Sequence, residues 1–245
     1  MDKYDSATYG DRIASHYDEF IPISLEQTQA AVETLAALAN GGPVLELGIG
    51  TGRIALPLAV KGLAVQGIDA SPGMIGELQQ KPGGDAIPVT LGDFGEVAVE
   101  GKFRLIFVVF NTFFALLTQE AQVRCFANVA AHLEPGGVFV IEAFVPDPSR
   151  YIRNQNVVVT TIGLDHVRLA VSLHDPLSQR VNSQHVAIGS DGTHCYPVQL
   201  RYAWPSELDL MARLAGLRLM ERWSTWQRSP FSASDSSHIS LYKHT

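Results

Sequence analysis

The sequence predicts an α/β protein built on a doubly wound, mostly parallel sheet, with an N-terminal helical lid and an antiparallel β-meander insertion. Strand–helix units repeat from Gly41 to about Pro146, and the apolar run Phe103–Phe110 is typical of a strand buried on both faces. After Asp147 the chain changes to β-prone segments separated by turns. Before Gly41 the pattern is helical.

Composition narrows the class of protein. The 245 residues carry a formal charge of −7, with 46% hydrophobic and 18% charged residues, which argues against nucleic acid or an anionic membrane as the main partner. There is no run of about 18 apolar residues that would predict a membrane span. The polar start Met1–Asp5 does not resemble a signal peptide, and the two cysteines show no metal spacing. We therefore expect a cytoplasmic protein with reduced thiols.

Residues 1–40 form the predicted lid. Tyr9, Ile13, Tyr17 and Phe20 recur at three- and four-residue steps and would share one helix face. Pro22 interrupts the pattern. A second helix is expected over Leu25–Ala39, closed by Gly41 and Gly42.

Residues 41–146 and 203–245 form the predicted core. Its elements alternate between strand and helix, with Ser71 capping a helix that has proline at its first position. The predicted strands are Val44–Leu47, Ala64–Ile68, Pro88–Leu91, Phe103–Phe110, Val138–Ala143, Leu217–Trp226 and Ser237–Tyr242. The predicted helices are Ile54–Lys61, Ser71–Gln80, Gln119–Leu133 and one that begins at the cap Ser206 and runs to about Ala215.

Residues 147–202 form the predicted insertion. Its four strands are Asn156–Ile162, Val167–His174, Arg180–Ile188 and Pro197–Tyr202. The pattern predicts hairpins in an antiparallel meander. Whether the meander roofs a pocket or forms a homodimer interface is left open by the sequence.

Acidic residues follow three of the parallel strands. In such a sheet, ligands bind beyond the carboxyl ends of the strands, where the sequence places Glu46, Asp69, Asp93 and the pair Phe110–Asn111. The acids lie on different strands, so their spacing is wrong for a metal site and we expect none. One acid at each strand end suits a ligand with separate hydroxyl and amino donors.

Between the first strand and its helix lies a glycine turn, Gly48-Ile49-Gly50-Thr51-Gly52. A nicotinamide-dependent oxidoreductase would show G-x-G-x-x-G, with a helix N-terminus facing a pyrophosphate. Here the spacing differs, and Glu46 would repel a pyrophosphate while attracting a cationic ligand. A glycine turn that binds no ligand is the structural alternative.

Four stretches carry a family resemblance. Val44–Gly52 resembles the first motif of the class I S-adenosylmethionine-dependent methyltransferases, Gly67–Met74 the second and Leu91–Phe94 the third. Leu133–Gly137 resembles the turn before their fifth strand, and Tyr9–Asp18 the leading helix of small-molecule members. The resemblance implies a Rossmann-like fold, S-adenosylmethionine as cofactor, and methyl transfer to N, O or C of a small-molecule acceptor.

The resemblance also implies roles at the adenosine end of the cofactor. Asp69 would accept hydrogen bonds from both ribose hydroxyls, and Asp93 one from the adenine amino group. Ala70 and Met74 would flank the adenine, with Phe94 beside it.

At the methionine end, the three glycines would let the backbone approach the ligand, and Glu46 would bond near the amino group. The carbonyl of Phe110 or Asn111 would hold the ammonium. Arg12 would bind the carboxylate, and Tyr17 would close over it, with Tyr9 as a further polar group of the lid.

Methyl transfer from a sulfonium requires alignment and exclusion of water more than acid–base help. If a base acts, the candidates are Tyr17 and His16, followed by five other histidines: His132, His166, His174, His185 and His194. After the fourth strand, Thr112–Leu116 predicts an aromatic pocket that favours an apolar or flat acceptor. A nicotinamide-dependent oxidoreductase and a catalytically silent scaffold remain the alternatives.

Overall fold

The computed structural model describes residues 4–20, 24–96, 98–190 and 192–245. Met1–Lys3 at the polar start and the predicted interruption at Pro22 lie outside these residues. The helices are α1 Thr8–Ile13, α2 Tyr17–Phe20, α3 Leu25–Ala39, α4 Ala55–Val60, α5 Pro72–Gln80, α6 Gln119–His132 and α7 Pro205–Leu214. No helix in the described part of the chain is long and apolar enough to cross a membrane.

Seven strands form the main sheet. They are β1 Val44–Leu47, β2 Val65–Asp69, β3 Val89–Leu91, β4 Phe103–Val108, β5 Leu133–Phe144, β10 Leu217–Trp223 and β11 Ser237–His244. Their order is β10-β11-β5-β4-β1-β2-β3. β1 to β5 pair in parallel, and β11 pairs antiparallel with both β5 and β10. The predicted doubly wound, mostly parallel sheet is confirmed.

Helices cover both faces of this sheet, and β4 shows why. Leu105 and Phe107 pack in one apolar cluster with α3 and α4, while Ile106 and Val108 pack in the other with α6 and α7. Alternate side chains of a strand point to opposite faces, so a fully apolar β4 needs helices on both. The apolar run of β4 therefore predicts that the main sheet has helices on both faces.

The predicted starts of β5 and α7 are wrong. β5 begins at Leu133, not at Val138, because Leu133 pairs with Phe103 before a register shift, and Gly136 takes a φ of 76° within the strand. The N-cap of α7 is Trp204 rather than Ser206, and Pro205 occupies the first turn. Proline favours the first helical position because its missing N–H has no partner there in any case.

The remaining strands form a separate four-stranded meander: β6 Gln155–Ile162, β7 Val167–Asp175, β8 Arg180–Gly189 and β9 Gly192–Arg201. β9 is longer than predicted because its first residues also pair with β8, with Ile188 opposite Thr193 and His185 opposite Tyr196. An antiparallel β insertion is confirmed.

Candidate active site

A cavity of about 760 Å³ lies beyond the carboxyl ends of the parallel strands. This is within the usual range of small-molecule sites, roughly 300–1,000 Å³. Its lining includes many of the residues predicted from the sequence, namely Tyr9, Tyr17, Gly48, Gly50, Asp69, Ala70, Met74, Asp93, Phe94, Phe110 and Asn111. Arg12, Glu46 and Gly52 do not line it. The strand ends thus converge on one cavity.

The glycine turn presents its backbone to this cavity. Gly48, Gly50 and Gly52 have φ values of 72°, 56° and 80°, a region that side chains disfavour. A Cβ on Gly50 would face open space, with its nearest neighbour 4.0 Å away, whereas one on Gly52 would overlap the side chain of Leu78. Gly50 therefore leaves room for a ligand, and Gly52 leaves room for α5.

Asp69 is held in place by the backbone. Its Oδ2 accepts from the Gly50 amide at 2.8 Å and its Oδ1 from the Ser71 amide at 2.9 Å. Burial raises the pKa of Asp69, and these amides oppose that rise. Each carboxylate oxygen can accept a second hydrogen bond. The side chain can therefore receive two neighbouring hydroxyls from a ligand in the cavity.

Glu46 lies behind the glycine turn and is only 3% exposed. Burial, and then the charge of Asp69, raises the pKa of Glu46 well above its usual value, while the Ala55 amide lowers it. Its Oε2 has no hydrogen-bond partner among the described residues. A buried acid without a full set of partners is costly unless positive charge lies near, so Glu46 favours a cationic ligand next to the turn.

Asp93, Phe94 and Met74, which are expected to bind the adenosine end of a cofactor, line the same cavity. Asp93 Oδ1 accepts from the Gly95 amide at 2.8 Å, which fixes the carboxylate at the end of β3. Phe94 and Met74 are buried, and Ser71 caps α5 by accepting from the Met74 amide at 3.1 Å.

The turn after β4 carries two left-handed residues, with φ of 56° at Phe110 and 66° at Asn111. The Phe110 amide donates to Glu142 Oε2 at 3.1 Å, and the Phe144 amide donates to Asn111 Oδ1 at 2.7 Å. Glu142 lines the cavity but was missed in the sequence. It lies near the carboxyl end of β5, so the strand-end rule that selects Glu46, Asp69 and Asp93 would have found it.

The N-terminal segment packs over the glycine turn through Asp18 and over the start of α5 through Asp11. Asp18 accepts from Thr51 Oγ1 at 2.9 Å and pairs with Lys81 at 2.6 Å. Asp11 accepts from Ser71 Oγ at 2.5 Å and from the Gly73 amide at 3.1 Å. These contacts place Tyr9 and Tyr17 in the cavity wall.

Arg12 is exposed on this segment, and its expected contact with a ligand carboxylate stays a prediction. The guanidinium of Arg53 lies 5.1 Å from the ring centroid of Tyr17 and 5.8 Å from that of Phe110, and both rings line the cavity. Arg53 follows the last glycine of the turn directly, a position that the sequence analysis did not consider.

The four-stranded sheet roofs the cavity through His185 on β8 and Val198, Gln199 and Leu200 on β9. The Gln199 amide donates to the Tyr4 hydroxyl at 3.2 Å and ties the lid to this roof. Burial lowers the pKa of His185, so its imidazole is neutral near pH 7. Burial also raises the pKa of Tyr9 and Tyr17, so both hydroxyls remain protonated and can donate.

The other candidate histidines lie elsewhere. His174 is buried against Tyr202, with 3.0 Å between Nε2 and the hydroxyl, and His132 contacts two backbone carbonyls. A separate shallow pocket of about 260 Å³ includes His16, His166 and His194 in its lining. The described residues contain no group of three or more His, Cys, Asp or Glu arranged to hold a metal ion.

The prediction that Phe113 and Phe114 make the pocket after β4 aromatic is wrong. Phe113 and Phe114 are fully buried in the core, whereas Thr112, Ala115 and Leu116 line the cavity. A 3-10 turn over Thr112–Ala115 directs the two rings inward, and strand patterns do not reveal such a turn. The aromatic wall comes instead from the lid and the strand ends.

Comparisons with known proteins agree on one family. Residues 44–137 match the family described as "Methyltransferase domain". The chain is 39% identical to the CcbJ methyltransferase of Streptomyces caelestis, with a TM-score of 0.92 over 99% of this chain and 100% of that one. It is 28% identical to the cypemycin N-terminal methyltransferase of a Streptomyces species, over 79% of this chain and 80% of the relative. The fold also matches S-adenosylmethionine-bound CalS10 of Micromonospora echinaspora, with 18% identity, a TM-score of 0.66, and coverage of 93% and 94%.

The cavity suits the cofactor of this family. Asp69 has free acceptor capacity for a ribose diol, the Cβ side of Gly50 is open, and beside the turn Glu46 places a buried carboxyl whose Oε2 has no hydrogen-bond partner among the described residues. The relatives therefore do not support the two alternatives, a nicotinamide-dependent oxidoreductase and a catalytically silent scaffold. The chain belongs to the methyltransferase family and is an S-adenosylmethionine-dependent enzyme.

Proposed function

We propose that this enzyme methylates an amine nitrogen of a small-molecule acceptor. The observation that carries this proposal is the lining of the cavity, where the aromatic rings of Tyr9, Tyr17 and Phe144 combine with the imidazole of His185. Aromatic faces attract an ammonium group. Among the described residues, the cavity lining includes a single arginine, Arg150, and its side chain is exposed to solvent.

Methyl transfer to an amine requires that the accepting nitrogen be neutral. When bound, S-adenosylmethionine supplies an activated methyl group on its sulfonium, and an amine attacks that group through its lone pair. An ammonium must therefore lose a proton first. His185 lines the cavity and is kept neutral by burial, so it can accept this proton. The lid and the roof exclude water while the two reactants are aligned.

The relatives support nitrogen over oxygen or carbon. The cypemycin enzyme is an N-terminal methyltransferase, and CalS10 is an amino pentose methyltransferase. Both names describe substrates that carry an amino group.

We further propose the cofactor placement implied by the family motifs. Asp69 would bind the ribose hydroxyls, Asp93 the adenine amino group, and the turn at Phe110 the methionine ammonium. Arg12 remains the proposed partner of the cofactor carboxylate, although its exposure requires the lid to tighten on binding.

The domain assignment is proposed in the same way: a lid over residues 1–40, a cofactor core over residues 41–146 and 203–245, and an acceptor cap over residues 147–202. A cytoplasmic location and a homodimer formed through the cap are also proposals. Size-exclusion chromatography with light scattering would test the dimer.

Matched acceptor pairs test the acceptor atom. The purified enzyme is incubated with radiolabelled S-adenosylmethionine and pairs that differ in one group: an amino sugar and its hydroxyl counterpart, and a short peptide with a free or acetylated N-terminus. We expect transfer only to the amine member. His185→Asn should lower kcat/KM by roughly 100-fold, within the range of general-base effects, and leave cofactor binding unchanged. Transfer to the hydroxyl member and not to the amine would refute nitrogen as the acceptor.

A further inference from the structure

The turn Phe110–Asn111 has a conformation that its own sequence disfavours. A bulky aromatic residue with φ of 56° is a rare outlier, and such strain persists only where the surroundings impose it. Asn111 follows with φ of 66°. Something outside the turn must hold these two residues in place.

Glu142, on the neighbouring strand β5, fixes the turn by accepting hydrogen bonds from it. Its Oε2 accepts from the Phe110 amide at 3.1 Å, and its main-chain carbonyl accepts from the Asn111 amide at 3.3 Å. Its other oxygen, Oε1, accepts from Trp226 Nε1 at 3.0 Å. Trp226 is buried, and its carbonyl accepts from Thr34 on α3 at 3.0 Å. The carboxylate therefore connects the turn to a fixed point in the core.

We propose that Glu142 is the positioning residue for the cofactor's methionine end, acting through the backbone of Phe110. The inference rests on the cofactor placement proposed above. Glu142 holds Phe110 in the left-handed conformation that exposes this turn to the cavity, and Trp226 in turn fixes the Glu142 carboxylate. Burial raises the pKa of Glu142, and the two donors oppose that rise.

The donor set makes the inference testable. Both partners of the side chain are N–H donors, so they require two acceptor oxygens. Glutamine has one oxygen and one NH₂ group, and Glu142→Gln therefore leaves one buried N–H facing another donor. Removing the indole donor with Trp226→Phe relieves this conflict and lets the amide oxygen accept from Phe110.

The experiment is calorimetry with S-adenosylhomocysteine and S-adenosylmethionine on four proteins: wild type, Glu142→Gln, Trp226→Phe and the double variant. We expect Glu142→Gln to weaken both ligands by roughly 10-fold to 100-fold, the scale of one lost buried hydrogen bond. The double variant should bind more tightly than Glu142→Gln alone, because the effects of coupled residues are not additive. Thermal unfolding of each protein separates lost affinity from lost stability.

Glu221→Gln is the matched control. Glu221 Oε2 also accepts from an indole, Trp223 Nε1, at 2.8 Å, but Glu221 is exposed and does not line the cavity. Its substitution should leave cofactor affinity at the wild-type value.

Several results would overturn the inference. Wild-type affinity in Glu142→Gln would show that the clamp is not needed. A double variant that binds no better than Glu142→Gln, or a loss confined to the sulfonium ligand, would show that the carboxylate acts by direct charge contact. If Glu142→Gln does not fold, the double variant is compared with Trp226→Phe, and loss of all binding there refutes positioning. If the wild-type protein binds neither ligand, the cofactor placement under Proposed function is refuted, rather than the positioning role of Glu142.

Discussion

Asp69→Ala is expected to weaken cofactor binding through the ribose. Gly50 and Ser71 already occupy one acceptor site on each carboxylate oxygen, which leaves one site per oxygen for the two ribose hydroxyls. Hydrogen bonds to a charged acceptor contribute about 1.5–3 kcal/mol each. Burial disfavours the charged form of Asp69 and raises its pKa, which offsets part of this gain. We expect a net loss of about 1–3 kcal/mol, or roughly 5- to 150-fold in affinity.

The assay must separate this loss from a disturbed turn, since the substitution also removes the acceptor of two backbone amides. Calorimetry with adenosine and 2′,3′-dideoxyadenosine makes the separation. Wild type should prefer adenosine, and Asp69→Ala should bind the two nucleosides equally. Asp85→Ala, an exposed acid outside the cavity lining, should keep the wild-type preference. If Asp69→Ala also keeps it, Asp69 does not bind the ribose.

Three further predictions follow from the same geometry. The pKa of Glu46 is raised by folding, so its contribution to stability is lost as pH rises from the unfolded value, about 4.3, toward the folded one. Glu46→Gln should therefore flatten the fall in unfolding free energy as pH rises above about 4.3 in urea titrations, and an unchanged slope would contradict this. Asp18 is 45% exposed in its ion pair with Lys81, so Asp18→Asn should cost less than about 1 kcal/mol in thermal unfolding, whereas a loss several times larger would show a structural role. Gly52→Ala should destabilise the fold by about 1–3 kcal/mol through strain and overlap with α5, while Gly50→Ala should mainly weaken S-adenosylhomocysteine binding; equal effects on both measurements would refute the distinction.

Local patterns predicted most of the fold. The bounds of β1 and α3 were predicted to the residue, and Ser71 caps α5 as expected, because these features depend on neighbouring residues alone. The start of α7 was misplaced because two cap signals, Ser206 and Pro205, competed, and the proline determined the outcome.

The candidate site was predicted where the strand ends, the lid and the start of α5 supply it. Asp69, Asp93 and Phe110 line the cavity as expected, since parallel strands align their carboxyl ends. His185 was named only as one of several candidate histidines, and Gln199 was not named at all, because both reach the cavity from the separate sheet and no local period reports that contact. Their placement depends on how the two sheets pack, which is a long-range property.

The cavity draws its two sides from different parts of the chain. The edge proposed to bind the methyl donor is built from β1 to β5, whereas His185, Val198 and Leu200 come from a sheet that shares no strand pairing with it in the described residues. Selection for a new acceptor can therefore act on β8 and β9 while the methyl-donor site stays intact. We expect relatives to diverge fastest on that roof, and exchange of the roof between relatives to redirect methylation without rebuilding the cofactor site.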